Sequence, residues 1–429
     1  MRLLHTADWH LGQRFHDQRR GEDEAFALGA LLDICRDHEV DAVLIAGDVF
    51  DTANPGAEEQ RRYYRTLFDL VTKVGVATVV VTGGNHDSAL RLDGPKDLLA
   101  NLGIQVVGRW PRDAPAADCL VPIVDRQGET RAVCAAVPYL RDGDLRLPPV
   151  GETAPQIHAR YAHALEARYG QAQDAAAELY PGLPLITMGH CYVDDGLVGG
   201  MERPVQVGNL AKVRASVLAE GAVYLALGHL HRPQALGGRE TWRYCGSLLP
   251  TGFDEVERRR EVVLFDLEDE QVVDVQAVPL PVYREYRRLE GDPDELRREI
   301  EALPEAPAAE PPSPAPSSPT PSSPTPWCEA SVVLDGPRPG FAQDLMDRAR
   351  LRGWNLISVK RRRDPDKERR RAELADVLEL KELQPEEVFI ERHRQEFGTE
   401  PDEELLADFR GLLQGLTSGK GGPTGDPKA

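Results

Sequence analysis

Apolar residues arrive in short runs, and stretches of helical period separate them. RLLHTA (2–7), AVLIAG (42–47), ATVVVTG (77–83), RAVCAAV (131–137), PLITMG (184–189), VYLALG (223–228) and EVVLFDL (261–267) read as strands. Most carry apolar residues at consecutive positions, the mark of strands covered on both faces. Helical spacing fills 22–38, 57–73 and 155–178. The alternation predicts a layered α/β domain over 1–275.

The pattern changes after that. DPDELRREIEAL (292–303) reads as an amphipathic helix and runs into PEAPAAEPPSPAPSSPTPSSPTP (304–326). Pro, Ser, Ala and Thr in that mixture bury no core, so an extended, mobile loop is expected there. A strand at 328–335, a helix at 341–352 and a strand at 354–360 complete a small α+β domain, 276–362, interrupted by the loop. KRRRDPDKERRR (360–371) fits a patch for DNA phosphates or a solvated linker, and the interleaved Asp364, Asp366 and Glu368 favour the linker. Within 363–415, AELADVLELKEL and PDEELLADFRGLL repeat leucine at helical spacing with no core of their own to join. Such helices suit a groove on a partner protein. A disordered tail is expected over 416–429.

Composition narrows the function. The net charge is −20, from 51 basic and 71 acidic residues, which argues against a protein that simply coats nucleic acid. It does not exclude an enzyme that brings its own metal cations. Six scattered cysteines without a Cys-x-x-Cys pair fit reduced thiols and a cytoplasmic location. No apolar run has the length of a membrane span, and the short run before Asp8 is not the pattern of a signal peptide.

The polar residues just past the strands carry the chemistry. HTADWHLG places Asp8 and His10 after the first run, IAGDVFD places Asp48 after the second, and VTGGNHD places Asn85, His86 and Asp87 after the third. ITMGH adds His190, and ALGHLH adds His229 and His231, two apart and therefore on one side of an extended chain. Open α/β sheets assemble their sites at this edge. Asp8, His10, Asp48, Asn85, His190, His229 and His231 exceed the needs of one four-coordinate ion but suit two, with Asp48 as the bridge. Nitrogen and oxygen donors without thiolate suit manganese, iron or zinc. Two divalent ions less two carboxylates leave a cationic site that attracts phosphate. His86 fits a general acid toward the leaving oxygen, or a histidine that only orients water. Asp87 fits either an orienting partner of His86 or a helix N-cap. Cys191 reads as packing. Arg91 and Arg232 flank the site within reach of phosphates, and His5, His16, His38, His158, His163 and His393 lack the strand-end context.

DWHLG, GDVFD, GNHD, GH and GHLHR resemble the calcineurin-like metallophosphoesterase superfamily. HTADWHLG, GDVFDTANP, ALGHLHRPQ and YCGSLLPTGFDE (244–255) are most similar to the nuclease subunits of bacterial SbcCD double-strand-break repair complexes. The resemblance implies a four-layer β-sandwich flanked by helices, a capping domain at about 280–360 and C-terminal helices that bind the SbcC ATPase. It implies two manganese ions on the seven donors, with His86 catalytic. It also implies ATP-dependent double-strand exonuclease and single-strand and hairpin endonuclease activity, in a homodimer within a heterotetramer. Two departures stand out. Asp51 occupies a position where some relatives carry a second active-site histidine, so no role transfers to it, and the proline-rich insertion is not a family feature. The GD-x-x-DRG form of protein phosphatases is absent, since the chain reads GDVFDTA. The alternatives are action on another phosphodiester and a non-catalytic metal-binding scaffold.

Overall fold

The computed structural model describes residues 1–111, 115–145, 154–193, 213–306, 324–334, 336 and 338–362, with scattered positions between 386 and 410. The strands of the main body are, in chain order, β1 (Arg2–Thr6), β2 (Ala42–Ala46), β3 (Thr78–Thr82), β4 (Ile104–Val107), β5 (Leu120–Val124), β6 (Thr130–Ala136), β7 (Leu185–His190), β8 (Ala222–Gly228), β9 (Gln234–Leu236), β10 (Arg239–Tyr244), β11 (Glu261–Glu268) and β12 (Gln271–Pro279). They form two six-stranded sheets, ordered β12-β11-β1-β2-β3-β4 and β5-β6-β7-β8-β10-β9. β1 to β4 are mutually parallel, and β11 joins the β1 edge antiparallel.

Alternation along the strands assigns the layers. Leu3, Leu44 and Val80 belong to a core shared with Cys134, Ile186 and Leu225 of the second sheet. Their neighbours Leu4, Val43 and Val79 pack instead with Leu28 and Leu31 of helix Gly21–Asp37 and with Tyr63 and Leu67 of helix Ala57–Asp69. Helix Ala154–Leu179 adds Leu165, Tyr169, Ala172 and Ala176 to the shared core. The result is the helix–sheet–sheet–helix sandwich. The pattern missed β4, β5, β9, β10 and β12: β9 has three residues, and β12 is largely exposed and carries no apolar run. The helix expected over 57–73 ends at Asp69 and continues as a π turn, Leu70–Val74, closed by Gly75 at φ 83°.

A third sheet, β13-β14-β15, combines β13 (Tyr286–Gly291), β14 (Trp327–Val333) and β15 (Asn355–Arg362) with helices Pro293–Glu301 and Phe341–Leu351. Asp292 starts the first of these helices with a capping box. Its carboxylate accepts from Asp294 N and Glu295 N, and Glu295 reaches back to Asp292 N. Leu296 and Ile300 on that helix, and Leu345 and Ala349 on the other, are buried. Two compact units result: residues 1–331 with 339–360, and residues 332–338 with 361–429. In the second, Phe389 stacks on Phe409 with centroids 4.1 Å apart, and Arg410 pairs with Glu386. Most of the proline-rich loop (307–323), most of the expected linker and helices over 363–415, and the tail 416–429 lie outside the described residues. Among the described residues no helix is long and apolar enough to cross a membrane.

Candidate metal centre

Both sheets send donors to one place. β1, β2 and β3 end just before Asp8 and His10, Asp48, and Asn85 and His86. β7 ends on His190, and β8 ends one residue before His229. His229 and His231 do not meet as alternate residues of an extended strand, as the sequence suggested. β8 has stopped at Gly228, and His229 turns at φ 101°. Asp8 (φ 49°), His10 (φ 44°) and Asp48 (φ 48°) share this left-handed backbone. Such residues cost about 1–3 kcal/mol each and persist where surrounding structure fixes them. Here Asp8 N donates to Gly47 O and His10 N to Asp48 O, both at 3.0 Å. Two glycines make the approach feasible. A Cβ on Gly84 would stand 2.1 Å from Asp48 Oδ1, and one on Gly228 would stand 1.9 Å from Ala46 O.

The donors fall into overlapping sets that share Asp8. Asp8, His10 and His231 offer ligand atoms within 4.8 Å of one another, and so do Asp8, Asp48 and His190. Asn85 Oδ1 lies 3.0 Å from both His190 Nε2 and His229 Nδ1. Asp48 reaches toward both sets, its Oδ2 3.3 Å from His190 Nε2 and 3.7 Å from His10 Nε2. All seven sequence-predicted donors therefore converge.

Proton placement tests whether a cation fits. His190 Nδ1 lies 2.9 Å from Ala46 O, an acceptor only, so it carries the proton. In the neutral ring Nε2 then presents a lone pair to Asp48 and Asn85 oxygens, which are themselves acceptors. His231 Nδ1 faces Thr251 Oγ1 at 3.1 Å and Glu255 Oε1 at 3.4 Å, while its Nε2 approaches His10 Nε2 to 3.1 Å. Ring nitrogens and carboxylate and amide oxygens crowded at these distances in a buried pocket suit a cation, and the set fits a pair of divalent ions. In the bare protein the same crowding appears as competition for protons. Burial pushes the Asp8 carboxyl up to about 7. Burial also works to raise Asp48, but His190 and His10 outweigh it and hold that carboxyl well below its ordinary range. Burial opposes charge on His190, yet Asp48 takes that ring up to about 9. Burial, with His190 adding to it, brings His229 down to about 3.

His86 is half-buried at the rim. Its Nδ1 lies 2.7 Å from Asp51 O, and its backbone N donates to Asp48 Oδ1 at 2.9 Å. It also comes within 4.8 Å of His10 and Asp48. Asp51 itself sits beside the centre, its Oδ1 3.6 Å from His10 Nδ1.

Asp87 plays neither role considered for it. The short helix Ala89–Asp93 starts after Ser88, and His86 is held by Asp51. The Asp87 carboxylate instead accepts from Val49 N (3.1 Å), Phe50 N (2.9 Å) and Gly84 N (2.9 Å), fastening the loops that carry Asp48 and Asn85 to each other. Burial raises it to about 6, with Asp48 adding and the three N–H groups opposing. Arg141 Nη2 supports the same loop at Asp87 O, 2.8 Å. Cys191 is buried with Tyr169 Oη 3.6 Å away, Arg91 bonds Asn54 at the surface, and Arg232 is exposed next to His231. His5 is buried against Tyr224, and His16 lies 3.8 Å from Glu329 of β14. No role for Thr251 or Glu255 was readable from the sequence, although both lie in YCGSLLPTGFDE, and the glycines before donors were not singled out. A signal existed for the last: Gly47, Gly84, Gly189 and Gly228 each precede a donor.

Residues 1–233 match the calcineurin-like phosphoesterase family, and residues 282–397 match the type 5 capsule protein repressor C-terminal domain. SbcD of Rhodobacter capsulatus, a component of nuclease SbcCD, is 39% identical over 274 residues, covering 62% of this chain and 66% of that relative, just under two thirds of its length. SbcD of Escherichia coli K12 is 33% identical over 306 residues, covering 70% and 74%. That of Bacillus subtilis 168 is 34% identical over 267 residues, covering 62% and 66%.

Proposed function

Because the chain belongs to the calcineurin-like phosphoesterase family, and within it to the SbcD nuclease group, we propose that it cleaves DNA phosphodiesters at a two-cation centre. One set would comprise Asp8, His10 and His231, the other Asn85, His190 and His229, with Asp48 shared. Divalent cations, manganese in this reading, would supply a positive site for the phosphate and would make water a stronger acid there. The chain's own residues do the rest. Asp8 and Asp48 return two negative charges, which leaves the site net cationic toward substrate. The Nδ1–H of His86 donates to Asp51 O and fixes the ring, so Nε2 is the atom that holds a proton for the leaving oxygen. The observation that carries the reading is the convergence of seven donors on one pocket, with Asp48 within reach of both His10 and His190.

The finer reading adds ATP-dependent exonuclease action on double-strand ends and endonuclease action on single strands and hairpins. It adds cytoplasmic assembly as a homodimer with two copies of the SbcC ATPase, docked through 372–415. A partner of that kind would bring the positive surface that a chain of net charge −20 lacks. The test is copurification with SbcC, then cleavage of labelled duplex and hairpin DNA with and without ATP. Manganese-dependent hairpin cutting that persists without ATP, beside duplex degradation that requires it, is the expected result. No cleavage by the complex in manganese would overturn the reading.

A further inference from the structure

Glu255 is fully buried and lies outside every donor set described above. Its two oxygens have different surroundings. Oε2 accepts from Thr251 N at 3.0 Å and from Arg260 Nη2 at 3.2 Å. Oε1 is buried and makes no hydrogen bond among the described residues, and it faces His231 Nδ1 at an ion-pair distance of 3.4 Å. Arg260 ties both ends of this contact together, since its Nη1 donates to His231 O (3.1 Å) and Ser247 Oγ (2.9 Å) and its Nη2 to Glu255 O (2.8 Å).

Two groups thus stand at His231 Nδ1, and they are not equivalent. The Thr251 hydroxyl at 3.1 Å can donate or accept, so it tolerates either tautomer of the ring. An ionised carboxylate only accepts. We propose that Glu255 is a positioning residue for His231: it holds the ring proton on Nδ1, so that Nε2 keeps its lone pair turned toward the centre. A carboxylate behind a ligating histidine fixes tautomer and orientation and raises ligand basicity. The proposal rests on the reading of His231 as a metal ligand. It goes beyond that reading by assigning the residue that keeps His231 competent.

Glu255→Gln isolates the effect. Thr251 N and Arg260 Nη2 are both donors, so they hold the amide oxygen where Oε2 was. The amide NH₂ then faces His231 Nδ1 and favours the opposite tautomer, whose Nε2–H points at the centre. Manganese binding to the full-length chain, followed by titration and electron paramagnetic resonance, is the readout. Glu255→Gln should weaken one of the two manganese ions about 10- to 100-fold and leave the other within about threefold. Raising manganese should restore activity with kcat within about threefold of the parent. Glu255→Asp should recover part of the lost affinity, and Thr251→Val should change it less than about threefold. Two ions bound by Glu255→Gln as tightly as by the parent would overturn the proposal while leaving the two-cation reading intact. So would a loss in Thr251→Val equal to that in Glu255→Gln. Failure of the parent chain to bind manganese would defeat the two-cation reading itself. If Glu255→Gln does not fold, histidine ¹⁵N shifts of the zinc-loaded parent decide: a proton on His231 Nδ1 is expected, and one on Nε2 would overturn the assignment.

Discussion

The two halves of the donor cluster are fastened in different ways. His190 closes strand β7 and His229 follows β8 directly, while Asn85 sits on a loop that Asp87 braces. The His190 side chain is 0% exposed, and its Nδ1 is bonded to Ala46 O at the end of β2. His231, in the other half, is 12% exposed and rests on Thr251 and Glu255, which belong to a loop rather than a strand. That loop is covered by the third sheet. Phe253 packs on Phe15, Trp327 and Tyr286, and Arg20 bridges Pro250 O to Tyr286 Oη. One half is thus complete once the sandwich folds, while the other also depends on a neighbouring sheet. Asp48, shared by both, belongs to the first by position and to the second by reach.

The sharpest way to break the comparison is through the shared residue. Asp48→Ala should remove the donor shared in the proposed scheme and lower the binding of both metals. Cation stabilisation of a phosphoryl-transfer transition state is worth several kcal/mol, so nuclease activity should fall by roughly a thousandfold or more. His190→Gln and His231→Gln should each remove one ion and spare the other. Metal stoichiometry by mass spectrometry of the native chain checks this, and loss of both ions in either single variant would show that the halves are not separable.

His86 tests what lies between the halves. It carries no metal in the proposed scheme, so His86→Ala should retain two ions and DNA affinity. Cleavage should nonetheless drop about 10²–10⁴-fold, the usual contribution of a general acid. A loss under tenfold, or a missing ion, contradicts the assignment. Single-turnover cleavage beside a manganese titration separates these outcomes.

The core positions and the donors were legible in the sequence for one reason. Apolar runs mark strands, and polar residues immediately past them mark the edge where sheets assemble sites. Leu3, Val43 and Ile186 and the donors from Asp8 to His231 were readable on that basis. How the donors meet was not. Left-handed backbone at Asp8, His10, Asp48 and His229 depends on partners far away in the chain, as when His229 N donates to both Asp8 oxygens. The supports were hidden for the same reason. Asp87 braces backbone 38 residues upstream, and Glu255 acts on a histidine 24 residues before it, with no periodicity to betray either.

A smaller effect should follow from loosening only the loop-borne half. Phe253→Ala deletes a buried ring between the sandwich and the third sheet, and truncations of this kind cost about 3–5 kcal/mol in stability. Its influence on the centre should be selective: about tenfold weaker binding of the ion near His231, with the ion near His190 unchanged. Thermal melts of the metal-free chain and a manganese titration measure the two effects independently. Equal weakening of both ions would mean that the halves share one support.

The smallest effect is expected from the proline-rich insertion. Its flanks are secured around the third sheet. Ala306 N donates to Arg352 O at 3.0 Å, Trp354 Nε1 to Pro304 O at 2.8 Å, and Asn355 N to Pro326 O at 2.9 Å. The sequence from 307 to 323 is Pro, Ser, Ala, Thr and Glu, with no large apolar residue to bury. Loop-closure entropy varies slowly with length, so a moderate change in loop size costs only about 0.6 kcal/mol per doubling. Replacing 307–323 by a Gly/Ser loop of similar length should therefore leave the melting temperature within about 2 °C, a shift corresponding to well under 1 kcal/mol. Manganese-dependent cleavage should stay within about twofold, or less than 0.5 kcal/mol in barrier. If DNA cleavage or affinity fell tenfold while both ions stayed bound, the insertion would be acting on substrate rather than joining Ala306 to Pro324.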